Sequence, residues 1–254
     1  MSEPQSKGPI KHRTRGPVEL GLELVFAFFA ITVTSWFMGF LIAVLGPMAL
    51  WEQDSLAHTR ALVMEDLGHI DAAPRSLLID DTKGFSLMVI SFVQKPYEAL
   101  GILKWYQSAH AQQGQSTQQS VSDKGLNKQT FANASRVFNQ VISSGLVLSM
   151  FVLQDTLLRE SIAVFALPAF LLACLLGLVD GLIRRDLRRW GGGRESSFIY
   201  HHAKRYTVWA LTGGFALYLT WPFGGFNPSL MILVFTALVA LTLSTTVASF
   251  KKYV

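Results

Sequence analysis

The chain has 254 residues, of which 50% are hydrophobic and 15% are charged, and its mean hydropathy is +0.34. This composition lies outside the range of ordinary soluble domains and is typical of a membrane protein. The formal net charge of +5 does not indicate a nucleic-acid-binding domain, because the basic residues cluster beside apolar runs. Cys174 is the single cysteine, which excludes an intramolecular disulfide.

The N-terminal part of the chain predicts a transmembrane helix that follows a basic cytoplasmic tail. Residues 1–20 are polar and rich in Lys and Arg, and Leu24–Leu45 follows without any charge. This apolar run is long enough to cross roughly 30 Å of hydrocarbon as a helix, and longer than the roughly 7–15 residues of a signal-peptide core. We therefore predict a retained membrane span within residues 21–50, with its basic N-terminus in the cytoplasm.

Residues 51–160 predict a water-facing helical region on the opposite side, because their acidic and basic residues nearly balance. Helix-like apolar spacing predicts a helix over Trp51–Ile70, and Pro96 is a good first-turn residue for a second one. The apolar run Phe85–Val93 is compatible with either a strand or a helix. Residues 107–130 are rich in Gln and Ser, which is typical of a flexible linker.

The segment Val141–Leu153 is apolar but short for a membrane span, at roughly 20 Å as a helix. If it crossed the membrane, the arginine-rich segment farther along would lie outside while the N-terminus stayed inside. We therefore predict that residues 141–158 form a helix beside the membrane, although the sequence leaves open whether they enter it.

Residues 161–254 predict three further spans. These are Ile162–Ile183, Thr207–Phe223 and Leu230–Phe250, with an arginine-rich loop at 184–206 between the first two. Short loops rich in Arg and Lys stay in the cytoplasm. The predicted fold is thus an all-α membrane protein with four transmembrane helices, a helical insertion between the first and second, and both termini in the cytoplasm.

The arginine-rich loop is the predicted binding surface for a partner or for lipid. Its candidate residues are Arg184, Arg185, Arg188, Arg189, Trp190, Arg194, Tyr200, Lys204 and Arg205. The simplest interpretation is membrane topology together with contact to anionic lipid headgroups. The alternatives are an acidic surface of a cytoplasmic protein and a nucleic-acid backbone. Aromatic residues among the arginines favour the protein partner, and sequence-specific nucleic-acid binding is not expected.

Small residues recur every four positions along the second predicted span, at Ala169, Ala173, Gly177 and Gly181. Such a stripe lets a second helix approach closely. Similar stripes occur in the first span and in the fourth, where Ala240, Ser244 and Ala248 follow the same spacing. We favour packing within the bundle over an oligomer contact, and a homo-oligomer remains open.

The sequence offers no group for catalysis or for a cofactor. Asp180 is an acid near a span, but Arg184 lies one turn away and an i,i+4 ion pair would satisfy it. His201 and His202 have no further ligands at a tetrahedral metal spacing. Gly191–Gly193 lacks the Lys-Ser/Thr of a phosphate loop and suggests a hinge. We therefore predict that the protein is not an enzyme and holds no metal.

Residues 178–205, LVDGLIRRDLRRWGGGRESSFIYHHAKR, precede two spans that are separated by GGFNPS. This arrangement resembles the integrating conjugative element membrane protein family, whose members contain a domain of unknown function. The resemblance implies a bacterial inner-membrane protein of a conjugative DNA-transfer region, encoded near the coupling ATPase that delivers DNA to a type IV secretion channel. Residues 51–160 would then be periplasmic. Implied partners are that ATPase or other transfer proteins, and the family supplies no catalytic residues.

Two other functional classes are compatible with the sequence. A small channel or transporter needs a polar path through the bundle, and the scarcity of polar groups in the predicted spans counts against it. An envelope sensor needs a ligand pocket in residues 51–160.

Overall fold

The computed structural model describes residues 16–72, 76–116, 126–192, 197–225 and 227–249. Within these ranges the chain is helical and contains no strand. The helices are α1 (Pro17–Ala49), α2 (Ser55–Ala72), α3 (Thr82–Ala99), α4 (Ile102–Ser116), α5 (Leu126–Phe165), α6 (Leu167–Trp190), α7 (Ser197–Leu219) and α8 (Pro228–Ala248). The prediction of an all-α membrane protein is confirmed at this level.

Four described helices are long and apolar enough to cross a membrane. They are Gly21–Ala49 within α1, Ala134–Phe165 within α5, Leu167–Trp190 and Pro228–Ala248. Three of them correspond to the predicted first, second and fourth spans. The predicted third span, Thr207–Phe223, falls on α7, which does not qualify by composition, whereas α5 does. Polar residues in the first turns of α7 lower its mean hydropathy. Helix α5, in contrast, extends well beyond the apolar run Val141–Leu153 from which its length was predicted.

Helix α5 differs from the other three in what covers it. Half of its most apolar stretch is buried by the rest of the chain, against 11% for α1, 17% for α6 and 11% for α8. Its residues Val147 and Met150 pack against Val93 of α3 and Ile102 of α4. A helix that is covered in this way by other helices can be apolar because it packs in a protein core, so its composition alone does not establish contact with lipid.

Helices α2 to α5 and the C-terminal half of α1 form one bundle, which we name the α5 bundle. Helix α2 contributes Val63 and Ile70, which pack on Leu158 and Ile162 of α5. Helix α1 packs Ala43 against α5, in a cluster with Leu148 and Val152. Closer to the N-terminus, Thr32 donates a hydrogen bond to Glu160. Helix α1 therefore runs antiparallel to α5.

The remaining helices pack at one end of this bundle. Helix α5 ends at Phe165, and α6 begins at Leu167 with Pro168 in its first turn. The predicted span from Ile162 is therefore wrong at its start. Proline has no backbone N–H and is favoured in the first turn of a helix, so the chain breaks here instead of kinking.

Helices α6 and α8 are parallel neighbours, because Gly177 lies on Ala240 and Gly181 lies on Ser244. Helix α7 connects them and packs on α8, with Gly214 against Phe235. Since α6 and α8 start at the same end, α7 must run back over their length. Its 23 residues correspond to roughly 35 Å, which is enough to cross the hydrocarbon of a bilayer.

The small-residue stripe of α6 is the contact surface for α8. A Cβ added at Gly177 would lie 2.6 Å from the carbonyl oxygen of Ala240, and one added at Gly181 would lie 2.7 Å from that of Ser244. Ala173 is also buried, whereas Ala169 at the start of the stripe is exposed. The two backbones touch because neither glycine carries a side chain.

The predicted start of a helix at Pro96 is wrong. Pro96 lies inside α3, near its end, and not at the start of a helix. Helix α3 begins at Thr82, where Asp81 caps it by accepting a hydrogen bond from the backbone N–H of Gly84 (2.8 Å). Gly101, with φ of 71°, makes the turn into α4. The ambiguous run 85–93 is thus helical.

Helix also covers both ends of the predicted linker 107–130, through α4 to Ser116 and α5 from Leu126. The Gln and Ala residues at these ends have good helix propensity, which is consistent with the observed helix. The central residues 117–125 lie outside the described part of the chain.

The tight α6–α8 contact predicts the effect of adding a methyl group. Gly177→Ala should destabilise the protein by roughly 1–3 kcal/mol, because the methyl would press on a backbone carbonyl that cannot rotate away. Thermal unfolding in detergent measures this effect. Gly213→Ala is the matched control, since a Cβ at Gly213 meets nothing within 4 Å. Equal melting temperatures for the two variants would contradict the packing.

Candidate functional site

The predicted arginine-rich loop is mostly helical. Helix α6 continues to Trp190, and α7 begins at Ser197, so the predicted loop 184–206 shrinks to a short connection. Arg and Leu are good helix formers, and cations in a last turn are stabilised by the helix dipole. Gly191 caps the helix, and Gly192, with φ of 66°, turns the chain. We name residues 184–190 the arginine-rich end.

Two arginines of this end are engaged in contacts within the chain. Arg184 Nε lies 2.9 Å from Asp180 Oδ2, so the predicted i,i+4 pair is present. Asp180 also accepts a hydrogen bond from Ser244 Oγ (2.5 Å). Arg188 Nη1 donates to the carbonyl oxygen of Ala248 (3.2 Å). These contacts tie the end of α6 to the end of α8.

Arg189 and Trp190 are exposed, with Trp190 91% accessible. Arg185 is half-buried. On α7, the guanidinium of Arg205 lies 5.2 Å from the ring centroid of Trp209, a cation–π geometry. Arg194 and the side chains of Tyr200 and Lys204 lie outside the described residues.

A second polar site, which the sequence analysis missed, lies where α2, α5 and α7 meet. Arg159 Nε is 3.0 Å from Asp66 Oδ2, and Arg159 Nη2 is 3.2 Å from Asp155 Oδ2. The three residues are 4%, 7% and 7% exposed, respectively. We name Asp66, Asp155 and Arg159 the Arg159 cluster.

Arg159 also binds the end of α7. Its Nη1 donates hydrogen bonds to the carbonyl oxygens of Tyr218 (3.2 Å) and Trp221 (2.5 Å). The last carbonyls of a helix have no partner within it, so the guanidinium serves as the C-terminal cap of α7. One side chain thus joins α2, α5 and α7, and its planar fork of donors is suited to several acceptors at once.

A signal for this cluster was present in the sequence. Asp155 and Arg159 are four residues apart in an otherwise apolar stretch, and Asp66 lies between the apolar positions Val63 and Ile70. Charges on an apolar helix face indicate a buried ion pair. The sequence does not reveal that the carbonyls of α7 complete the arrangement, because that contact joins residues about 60 positions apart.

The guanidinium of Arg159 contacts both carboxylates and so joins α2, α5 and the end of α7. Among the described residues, no group of three His, Cys, Asp or Glu side chains is placed to hold a metal ion.

Removing the cation of the Arg159 cluster alone should lower the stability of the protein more than removing all three charges together. Arg159→Met should destabilise the protein by roughly 3–5 kcal/mol, because two buried carboxylates lose their cation. Replacing all three residues together, by Asp66→Asn, Asp155→Asn and Arg159→Met, should recover much of that loss. Thermal unfolding in detergent compares the two variants. A triple variant that is less stable than Arg159→Met would contradict the interpretation.

The comparison with known proteins bears on both sites. A family model described as "IncC plasmid conjugative DNA transfer protein DtrJ-like" matches residues 50–251. The match covers the Arg159 cluster and the arginine-rich end. No curated protein and no solved structure matches the chain. The resemblance to membrane proteins of conjugative elements is confirmed, and the chain belongs to the DtrJ-like family of conjugative DNA transfer proteins.

Proposed function

We propose that this protein is an inner-membrane scaffold or accessory component of a conjugative transfer apparatus, and that its arginine-rich end docks an acidic surface of a cytoplasmic partner. The partner would be the coupling ATPase or another transfer protein. The observation that carries the docking proposal is the exposed pair Arg189 and Trp190 at the tip of a membrane-length helix. The family match supports the role in conjugation.

The proposed membrane part consists of α1, whose apolar stretch Gly21–Ala49 is long enough to span a bilayer, with α6, α7 and α8. Large apolar side chains are exposed along α1, α6 and α8, for example Phe29, Leu171 and Leu233. Contiguous apolar surfaces of this kind need lipid or a partner. Helix α7 is included because α6 and α8 are parallel. The chain that connects them must therefore cross back through the membrane.

The proposed periplasmic part is α2 to α5, which is the α5 bundle without α1. It joins the spans at the start of α6 and the end of α7, whereas the arginine-rich end lies at the other end of α6. The bundle exposes charged side chains, among them Arg60, Lys95 and Lys104, which require water. If the arginine-rich end is cytoplasmic, the bundle lies across the membrane from it.

The composition of the arginine-rich end favours a protein partner. Trp and Arg are enriched among the residues that dominate binding energy at protein interfaces. Arg184 and Arg188 are engaged within the chain, which leaves Arg189 and Trp190 to make outside contacts. A channel is less well supported, because the backbones of α6 and α8 touch at Gly177 and Gly181 and leave no path between them.

The test combines the two exposed residues in one variant, Arg189→Glu with Trp190→Ala. Crosslinking in cells that carry the element should capture the partner with the native chain, and recovery should fall at least tenfold with the variant, because a hot-spot loss of about 2 kcal/mol or more is expected. The frequency of DNA transfer should fall in parallel. Immunoblots of membrane fractions establish that the variant is present at native levels.

The matched control is Lys95→Glu with Lys104→Glu, which reverses two exposed charges on the α5 bundle and should leave partner capture unchanged. Unchanged capture and transfer with the Arg189 and Trp190 variant would rule out docking at this end. Such a result would leave lipid contact as the role of the arginines.

A further inference from the structure

A cleft of about 420 Å³ lies where α1, α6, α7 and α8 meet the end of α5. Five aromatic rings contribute to its wall, namely Phe28, Phe170, Phe215, Tyr218 and Phe235. Most of the other lining residues are aliphatic, such as Ile162 and Leu167. The cleft is therefore suited to an apolar chain.

Glu160 is the exception in this wall. Its side chain lines the cleft, and the residue is only 6% exposed. Among the described residues, its hydrogen-bond partner is the hydroxyl of Thr32. The lining includes no Lys, Arg or His. A buried carboxylate is unfavourable unless a cation or several donors accompany it.

The surroundings of Glu160 are complementary to an ammonium group. Aromatic faces attract cations, most strongly where water is excluded, and a carboxylate supplies the opposite charge. Asp180 on α6 shows the contrast, because Arg184 and Ser244 of the same chain already satisfy it. Glu160 lacks such a cation within its cleft.

The location of the cleft indicates where a ligand would come from. Leu167 belongs to the wall and is 46% exposed on α6, and Leu171, one turn farther, is exposed as well. Both lie on a helix that is long and apolar enough to span a bilayer. Glu160 lies less than two turns before the start of α6, close to the end of the spans, where lipid headgroups reside.

We infer that the cleft binds a phospholipid with an ammonium headgroup, with its ammonium on the Glu160 carboxylate and an acyl chain along the aromatic wall. Phosphatidylethanolamine has this chemistry. Phosphatidylglycerol has the same chains with an anionic headgroup, so the carboxylate should discriminate against it.

Native mass spectrometry of the full chain in detergent tests the inference, with either lipid added at matched acyl composition. The native protein should retain phosphatidylethanolamine roughly fivefold more than phosphatidylglycerol, as expected for one desolvated cation contact. Glu160→Gln has the same shape and can still accept the Thr32 hydrogen bond, so it should fold and lose the preference. Thr32→Val keeps the carboxylate and should retain the preference.

Two controls make the outcome decisive. Asp180→Asn removes another carboxylate from the spans and should leave the lipid preference unchanged. Ethanolamine alone should not displace the lipid, because it lacks the acyl chain that fills the cleft. The inference is overturned if Glu160→Gln keeps the preference, if the native chain has none, or if ethanolamine competes as well as the lipid does.

Discussion

The contact on which the rest of the structure depends is the one that Arg159 makes with α2, α5 and α7. Its guanidinium is buried between Asp66 and Asp155 and donates to the carbonyls of Tyr218, in the last turn of α7, and of Trp221, just beyond it. Burying these charges is costly on its own, and the hydrogen bonds offset that cost only when all the partners are in place. The position of α7 is therefore coupled to the position of α2 and α5.

Through this coupling, α7 connects the arginine-rich end to the Arg159 cluster in the α5 bundle. Helix α7 starts near the arginine-rich end and finishes on the Arg159 cluster, while α6 and α8 are held together by backbone contact at Gly177 and Gly181. A component fixed in this way can hold a cytoplasmic partner at a defined position relative to the α5 bundle. That property suits the scaffold role that we propose, and the DtrJ-like family membership supports a role in conjugation.

The sequence predicted the parts of this structure that depend on local pattern. The apolar runs located α1, α6 and α8, and the four-residue spacing of Gly177 and Gly181 indicated a helix contact. It predicted a helix beside the membrane over residues 141–158 but left open whether that helix enters the membrane, because apolar composition alone does not distinguish burial by lipid from burial by protein. It also missed the Arg159 cluster, since Asp66 and the carbonyls of α7 are distant in the chain, and it took the helical arginine-rich end for a loop.

The central claim is that the α5 bundle and the arginine-rich end lie on opposite sides of the membrane, and thiol labelling tests it most directly. With Cys174→Ala as the background, single cysteines replace the exposed residues Val137 on α5, Lys104 on α4 and Arg189 on α6. A membrane-impermeant maleimide added to intact spheroplasts should label positions 137 and 104, and should label position 189 only after the membrane is permeabilised. Protection of position 137, or labelling of position 189 from outside, would contradict the account.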